Sequence, residues 1–413
     1  MRLHRQSSAA LRTVLKVALG AVVGMTLGAT MVSAAASPSS TTVINACYEV
    51  ASPHSLEYST STACPTGYKA IQWDVTGPAG PPGATGPRGP SGSPLNLSAV
   101  ATLNWKNWLG VRNFGGGSYG FNAPLAVAFD GTHLWVANYE GNSLTELDAS
   151  NGAWVKTFSA GSYGFNGPKS IAFDGTHLWV GNVANNSVTE LDASNGTWLK
   201  TVPNINSPEA IASDGTHVWV GSFSADSVTE FTASTGAWVQ TLSGGSYGFN
   251  GPVAISFDGT HLWVANGVGN SLTELDASNG AWVKTYSGGS YGFNYPSAIA
   301  FDGTDLWVVN NGGSVSVTEI DASNGAWVQT LSGGSYGFAE PTAIAFDGTH
   351  LWVTNFKGGN GAGSVTEIDA SNGAWVQTRS YGTANPDAIA FDGTHLWVTN
   401  GSIGFSVTDI PAA

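Results

Sequence analysis

One ten-residue stretch, Phe-Asp-Gly-Thr-His-Leu-Trp-Val-Ala-Asn from Phe129 to Asn138, constrains the fold more than anything else in the chain, because it returns six times with little change. The returns begin at Phe173, Ser213, Phe257, Phe301, Phe346 and Phe391, at steps of 44, 40, 44, 44, 45 and 45 residues. A period of this size, written in short strands with no helical pattern, calls for radially repeated sheets. Asp-Gly between two apolar runs predicts a tight hairpin, since Gly adopts positive φ freely and Asp tolerates it. The second strand of the hairpin, Leu134 to Ala137, is apolar at consecutive positions and so needs cover on both faces. A blade held between two neighbouring blades has that cover.

Each hairpin is followed by a third strand such as Ser143-Leu-Thr-Glu-Leu-Asp, an Ala-Ser-Asn-Gly turn, and a fourth strand such as Ala153-Trp-Val-Lys-Thr. The seventh copy stops at Pro411-Ala-Ala without a fourth strand. Trp108-Leu-Gly-Val-Arg-Asn-Phe, ahead of the first copy, occupies the place that a fourth strand holds in every other repeat. The expected fold is therefore all-β: a seven-bladed β-propeller of four-stranded antiparallel blades over residues 95–413, with an N-terminal strand completing the last blade and removing two sheet edges.

The N-terminal 94 residues read as three smaller pieces. Arg2, Arg5, Arg12 and Lys16, an apolar run from about Val17 to Val32 and a Ser-Ala-Ala-Ala ending make residues 1–36 a secretory signal peptide cut near Ala34 to Ala36, with no membrane span left in the mature chain. Residues 37–76 hold both cysteines, Cys47 and Cys64, and export to an oxidising compartment favours a disulfide between them over metal binding. From Gly77 to residue 94, Gly recurs at every third position with Pro between, the collagen pattern. These six triplets are read as a spacer or as a short trimerisation stalk, giving a homotrimer.

The Asn45-Ala-Cys-Tyr to Gln72-Trp-Asp-Val-Thr-Gly segment resembles a small disulfide module found ahead of collagen-like repeats in secreted bacterial proteins. The hairpin together with Asn-Ser-Val-Thr-Glu-Leu-Asp resembles secreted bacterial propellers with YVTN-type or NHL-like repeats over roughly residues 100–413. That resemblance implies the propeller and leaves activity open, because such propellers act as scaffolds, adhesins and enzymes alike.

Candidate sites follow from what repeats and what does not. His133, His177, His217, His261, His350 and His395, with Asp305 in the fifth copy, stand one per blade and read as strand-initial residues, with no metal site expected. The Asp130 series reads as turn formation, and the Glu146 and Asp148 series as a solvated outer-strand face. The loop before each blade, Gly-Ser-Tyr-Gly-Phe-Asn at Tyr119, Tyr163, Tyr247 and Tyr291 with relatives at Tyr336 and Tyr381, offers aromatics and amides for stacking on a sugar or peptide. Packing between blades explains the same residues. Phe356 and Lys357, on the longest loop between second and third strands, are further ligand candidates.

A net charge of -14 argues against nucleic acid and anionic membranes as partners. No cofactor motif, phosphate loop or nucleophile elbow appears, so no cofactor and no catalytic residue is assigned. The sequence is read as a secreted or cell-surface, non-enzymatic binding protein with a carbohydrate or protein ligand. The alternatives are a lyase resembling the streptogramin-inactivating propellers and a structural surface or spore component trimerised by the collagen-like segment.

Overall fold

The structure, a computed structural model, describes residues 17–18, 43–49, 55–59, 68–74 and 110–412, apart from 160, 358–362, 381–384 and 403. The signal-peptide cleavage region, the Gly-Pro triplets, Cys64 and hence its pairing with Cys47, and Tyr381 lie outside the described residues. The chain divides into two compact units, Met1–Val111 and Arg112–Ala413. In the first, Val17–Ala18, Ser55–Ser59, Val43–Glu49 and Tyr68–Asp74 lie in that spatial order in one antiparallel sheet. Among the described residues no helix is long and apolar enough to cross a membrane.

The second unit is a seven-bladed propeller of four-stranded antiparallel sheets. Blade 1 consists of Pro124–Phe129, His133–Asn138, Ser143–Asp148 and Trp154–Ser159, counted from the channel outward. The first strands of successive blades adjoin around the whole ring, blade 7 to blade 1 included, and so line the channel. Blade 7 takes Pro386–Phe391, His395–Asn400 and Ser406–Pro411 from the C-terminus and its fourth strand, Arg112–Gly115, from the start of the unit. The register runs from Ser406 opposite Gly115 to Asp409 opposite Arg112. A chain that closes on itself in this way leaves no blade with an unfilled slot.

The core is a set of seven seams between blades. The second strands are buried along their length, as expected for a strand covered on both faces, and their seven tryptophans from Trp135 to Trp397 are the largest fully buried side chains. A buried indole N–H needs an acceptor, and the hairpin aspartate supplies it. Trp135 Nε1 donates to Asp130 Oδ2 at 2.7 Å, while Asp130 Oδ1 accepts the backbone N–H groups of Thr132 at 2.8 Å and His133 at 2.6 Å. The Trp-to-Asp bond recurs in every blade. The aspartates thus do more than form the turn: each couples its turn to the tryptophan that fills the adjoining seam.

The Glu146 series corrects the sequence reading. Glu146, Glu190, Glu230, Glu274, Glu319 and Glu367 are 2–8% exposed, not a solvated face. Neighbouring blades cover both sides of the third strand, and the fourth strand supplies partners: Gln240 Nε2 donates to Glu230 Oε2 at 2.6 Å, Tyr286 Oη to Glu274 Oε2 at 2.6 Å, and Lys200 pairs with Glu190 at 3.3 Å. The Asp148 carboxylate, by contrast, works in its turn, accepting the Ser150 N–H and hydroxyl at 2.9 and 2.6 Å.

The hairpin aspartates of the Asp130 series and the third-strand glutamates give opposite pH dependence. Burial works against ionisation of Asp130, Asp214, Asp258, Asp347 and Asp392, but their hydrogen bonds outweigh it and hold them below the ordinary aspartate value. Their contribution is present above the unfolded aspartate pKa and is lost as pH falls through the depressed folded values. Burial raises Glu146, Glu190, Glu319 and Glu367, so the folded chain holds more protons there than the unfolded chain and loses stability as pH rises through the glutamate range. The expected result is a stability maximum near about pH 4–5, between the two ranges. Denaturant titrations from pH 3 to 8 check this, and a midpoint that climbs steadily to pH 8 would contradict it.

Candidate functional site

Six histidines begin second strands, as the sequence indicates, and the fold places five of them between two carboxylates of their own blade, while His395 lies 3.8 Å from Asp392. His133 Nδ1 lies 3.5 Å from Asp130 Oδ2 and its Nε2 lies 3.7 Å from Glu146 Oε1. Among the described residues no group of three or more His, Cys, Asp or Glu side chains is placed to hold a metal ion. This turn-bearing face also carries an open cleft of about 650 Å³ between blades 7 and 1, lined by Phe129, His133, Ser150, Asp392, Thr394 and His395.

The tyrosine series lies in the seams between blades. The Tyr119 ring stacks on Phe121 at 5.4 Å, Tyr163 on Phe165 at 5.4 Å, Tyr247 on Phe249 at 5.3 Å, Tyr291 on Phe293 at 5.4 Å and Tyr336 on Phe338 at 5.3 Å. Tyr291 and Tyr336 donate their hydroxyls to the carbonyls of Gly325 and Gly373. Their backbone carbonyls are used as well, since Thr189 Oγ1 donates to Tyr163 O and Thr273 Oγ1 to Tyr247 O, both at 3.0 Å. The five rings are half-buried, their backbone carbonyls accept threonine hydroxyls, and the hydroxyls of Tyr291 and Tyr336 are bonded within the fold. Sequence reasoning missed a second aromatic series: Trp154, Trp198, Trp238, Trp282, Trp327 and Trp375 on the outer strands are 43–63% exposed.

The blades differ from one another most clearly at the channel mouth. At the second position of the first strand the seven blades carry seven different residues, Leu125, Lys169, Glu209, Val253, Ser297, Thr342 and Asp387, all half-buried. Each follows a buried proline that pairs with the end of the second strand, Pro124 opposite Asn138 in blade 1, so the position sits at the mouth shared by the loops that enter each blade and those joining second to third strands. Asparagines, Asn138 buried and Asn142 exposed in blade 1, fix those loops. Asn138 Nδ2 donates to Ser143 Oγ at 3.2 Å and Thr145 Oγ1 at 3.0 Å, and Asn142 Oδ1 accepts the Gly167 N–H of the next blade at 2.7 Å.

The mouth has a polar and an apolar part. Lys169 of blade 2 pairs with Glu209 of blade 3 at 3.0 Å, and Lys357 of blade 6 with Glu340 at 2.5 Å. Lys357 is therefore exposed but already paired, and Phe356 beside it is half-buried, its carbonyl accepting the Asn385 side chain at 3.2 Å. Ser297 Oγ is buried with no hydrogen-bond partner among the described residues. On blades 3 to 5 a Cβ built on Gly251 would stand 2.8 Å from Val268 Cγ2 and 3.0 Å from Phe223 Cε2, which places both side chains over that glycine. Val268 is 52% and Tyr295 39% exposed. Apolar surface of this kind beside fixed charges is what a specific ligand site offers.

No protein-family model matches the chain, and no curated protein sequence matches it. Solved structures match it in fold. Hydrazine synthase of Kuenenia stuttgartiensis is 18% identical with a TM-score of 0.59, over 71% of this chain and 96% of that one. A catalytically inactive virginiamycin B lyase from Staphylococcus aureus, solved with quinupristin, is 17% identical with a TM-score of 0.60, over 73% and 99%. A streptogramin B lyase structure is 19% identical with a TM-score of 0.57, over 73% and 96%. At these identities the likeness is one of fold alone.

Proposed function

We propose that this chain is a secreted or cell-surface, non-enzymatic binding protein whose channel mouth presents a site for a carbohydrate or protein ligand. The observation that carries this reading is the ring of seven different residues at one repeated position, in blades that otherwise repeat one another closely. Seven copies of one blade supply rigidity, and a site with distinct contacts can arise where the copies differ. The basic and apolar N-terminus and the Gly-Pro triplets support export and a spacer or stalk. The test is binding of the full mature chain to glycan and peptide arrays, compared with Val268→Glu, which puts charge into the apolar part of the mouth. Binding reduced about tenfold or more by Val268→Glu, in protein of unchanged melting temperature, is expected. Binding that Val268→Glu leaves intact but that is lost on replacing Tyr119, Tyr163, Tyr247 and Tyr291 would move the site to the seams. Quinupristin serves as the probe of the enzymatic alternative, and its recovery unchanged after incubation is the expected result.

A further inference from the structure

Three of the seven first-strand positions at the mouth carry a charge, and two of these pair with each other. Glu209 has Lys169 and Glu340 has Lys357. Asp387, at the same first-strand position in blade 7, has no cationic partner among the described residues. Its Oδ2 accepts the Gly401 N–H at 2.8 Å, and burial outweighs that hydrogen bond in raising its carboxyl above the ordinary aspartate value. A half-buried carboxylate left without a counter-charge costs stability unless something else meets it.

The surroundings are shaped to admit the carboxylate. The residue that follows the second strand is aromatic in blades 1, 3 and 6 (Tyr139, Phe223, Phe356) and glycine in blades 4 and 7 (Gly267, Gly401), and of these two glycines Gly401 is the one that adjoins a first-strand carboxylate. A Cβ on Gly401 would stand 2.5 Å from Asp387 Oδ2, 2.8 Å from Leu125 Cδ2 and 3.0 Å from Pro124 O. The glycine therefore makes the space in which Asp387 and Leu125, from adjacent blades, lie side by side. A carboxylate beside a leucine fits an ammonium carried on an alkyl stem: the charge meets Asp387 and the methylenes cover Leu125. The net charge of -14 adds long-range attraction for a basic partner.

From this geometry we infer that the mouth binds a protein ligand through a lysine side chain, whose ammonium group pairs with Asp387 while its stem packs on Leu125. The inference rests on the channel-mouth reading and narrows it to one ligand chemistry. Burial pushes the Asp387 carboxyl up to about 6, so the anchor is charged at neutral pH and becomes neutral in mild acid, while the lysine stays protonated throughout.

The test is a peptide array in which every lysine-containing sequence is paired with its Nε-acetyl-lysine version, read with the full mature chain and with Asp387→Asn and Gly401→Ala. Peptides that bind are expected to weaken about ten- to a hundredfold on acetylation and on Asp387→Asn. Gly401→Ala should weaken them as well, through the Cβ that crowds the carboxylate. Should either variant melt early, the wild-type protein still decides: its affinity for a lysine peptide must fall as pH drops below about 6. Peptides or glycans whose binding is lost with Val268→Glu but is indifferent to acetylation, to Asp387→Asn and to pH would overturn the lysine assignment and leave the mouth site standing. No binding on any array would overturn both.

Discussion

Replacing Arg112 with alanine is expected to destabilise the propeller by about 3–5 kcal/mol, the cost of leaving a buried charge without its partner. Asp409 is fully buried, at the place where blades 1 to 6 carry glutamate, and Arg112 meets it from the closing strand through Nε at 2.7 Å and Nη2 at 2.5 Å. The same guanidinium donates to Asn151 O of blade 1 at 3.0 Å and lies 5.4 Å from the Phe114 ring centre. One side chain thus ties the closing strand to the blade it completes and to the next blade, across 297 residues of sequence. Loss of the pair weakens the contact that joins the two ends of the ring. Urea unfolding of Arg112→Ala beside the wild type checks this. A change below about 1 kcal/mol would mean that the strand is held by its backbone ladder alone. Removing both charges, as Arg112→Met with Asp409→Leu, should recover most of the loss, because no buried charge is then stranded.

Asp258→Ala should cost a similar amount, about 3–5 kcal/mol, for a different reason. Asp258 accepts the Thr260 N–H at 2.8 Å, the His261 N–H at 2.6 Å and the indole N–H of Trp263 at 2.7 Å. Alanine removes the turn's acceptor and strands an indole N–H in a seam where Trp263 is 0% exposed. Asp258→Asn separates the two effects. Its carbonyl oxygen can still serve the turn, but its amide sets a second donor against the indole, so about half of the loss should remain. Unfolding midpoints for both variants, with the exchange rate of the Trp263 indole hydrogen followed by NMR, provide the check. Equal midpoints for Asn and wild type would show that the bond to Trp263 adds nothing to stability.

Much of the fold is legible in the repeats because the signals that set it are local. The Asp-Gly turns, the consecutive apolar positions of each second strand and the missing fourth strand at Pro411 lead directly to seven blades and to their closure by the segment ending at Phe114. The glutamates were not legible. Ser-Leu-Thr-Glu-Leu-Asp alternates as a half-solvated strand does, and its burial comes from two neighbouring blades and from partners such as Gln240 and Tyr286, ten and twelve residues further along the chain. The Asp-to-Trp spacing of five residues was in plain view, but a turn already accounted for the aspartate. Tyr119 and its relatives carry both stacking surface and hydroxyl, and the burial of those rings against Phe121 and its counterparts depends on how closely adjacent blades pack.

The sequence by itself determined the number of blades, the order of strands within each and the means of closing the ring, since turn chemistry, strand burial and period are read within one repeat. The tertiary structure decided where the repeats differ to some purpose. Leu125 and Asp387 are far apart in sequence and are neighbours only because blade 7 meets blade 1, and Gly401 matters only because those two side chains converge on it. A position that varies from copy to copy looks like neutral drift along the chain. Closing the ring gathers those seven residues around one channel, where their differences become a surface.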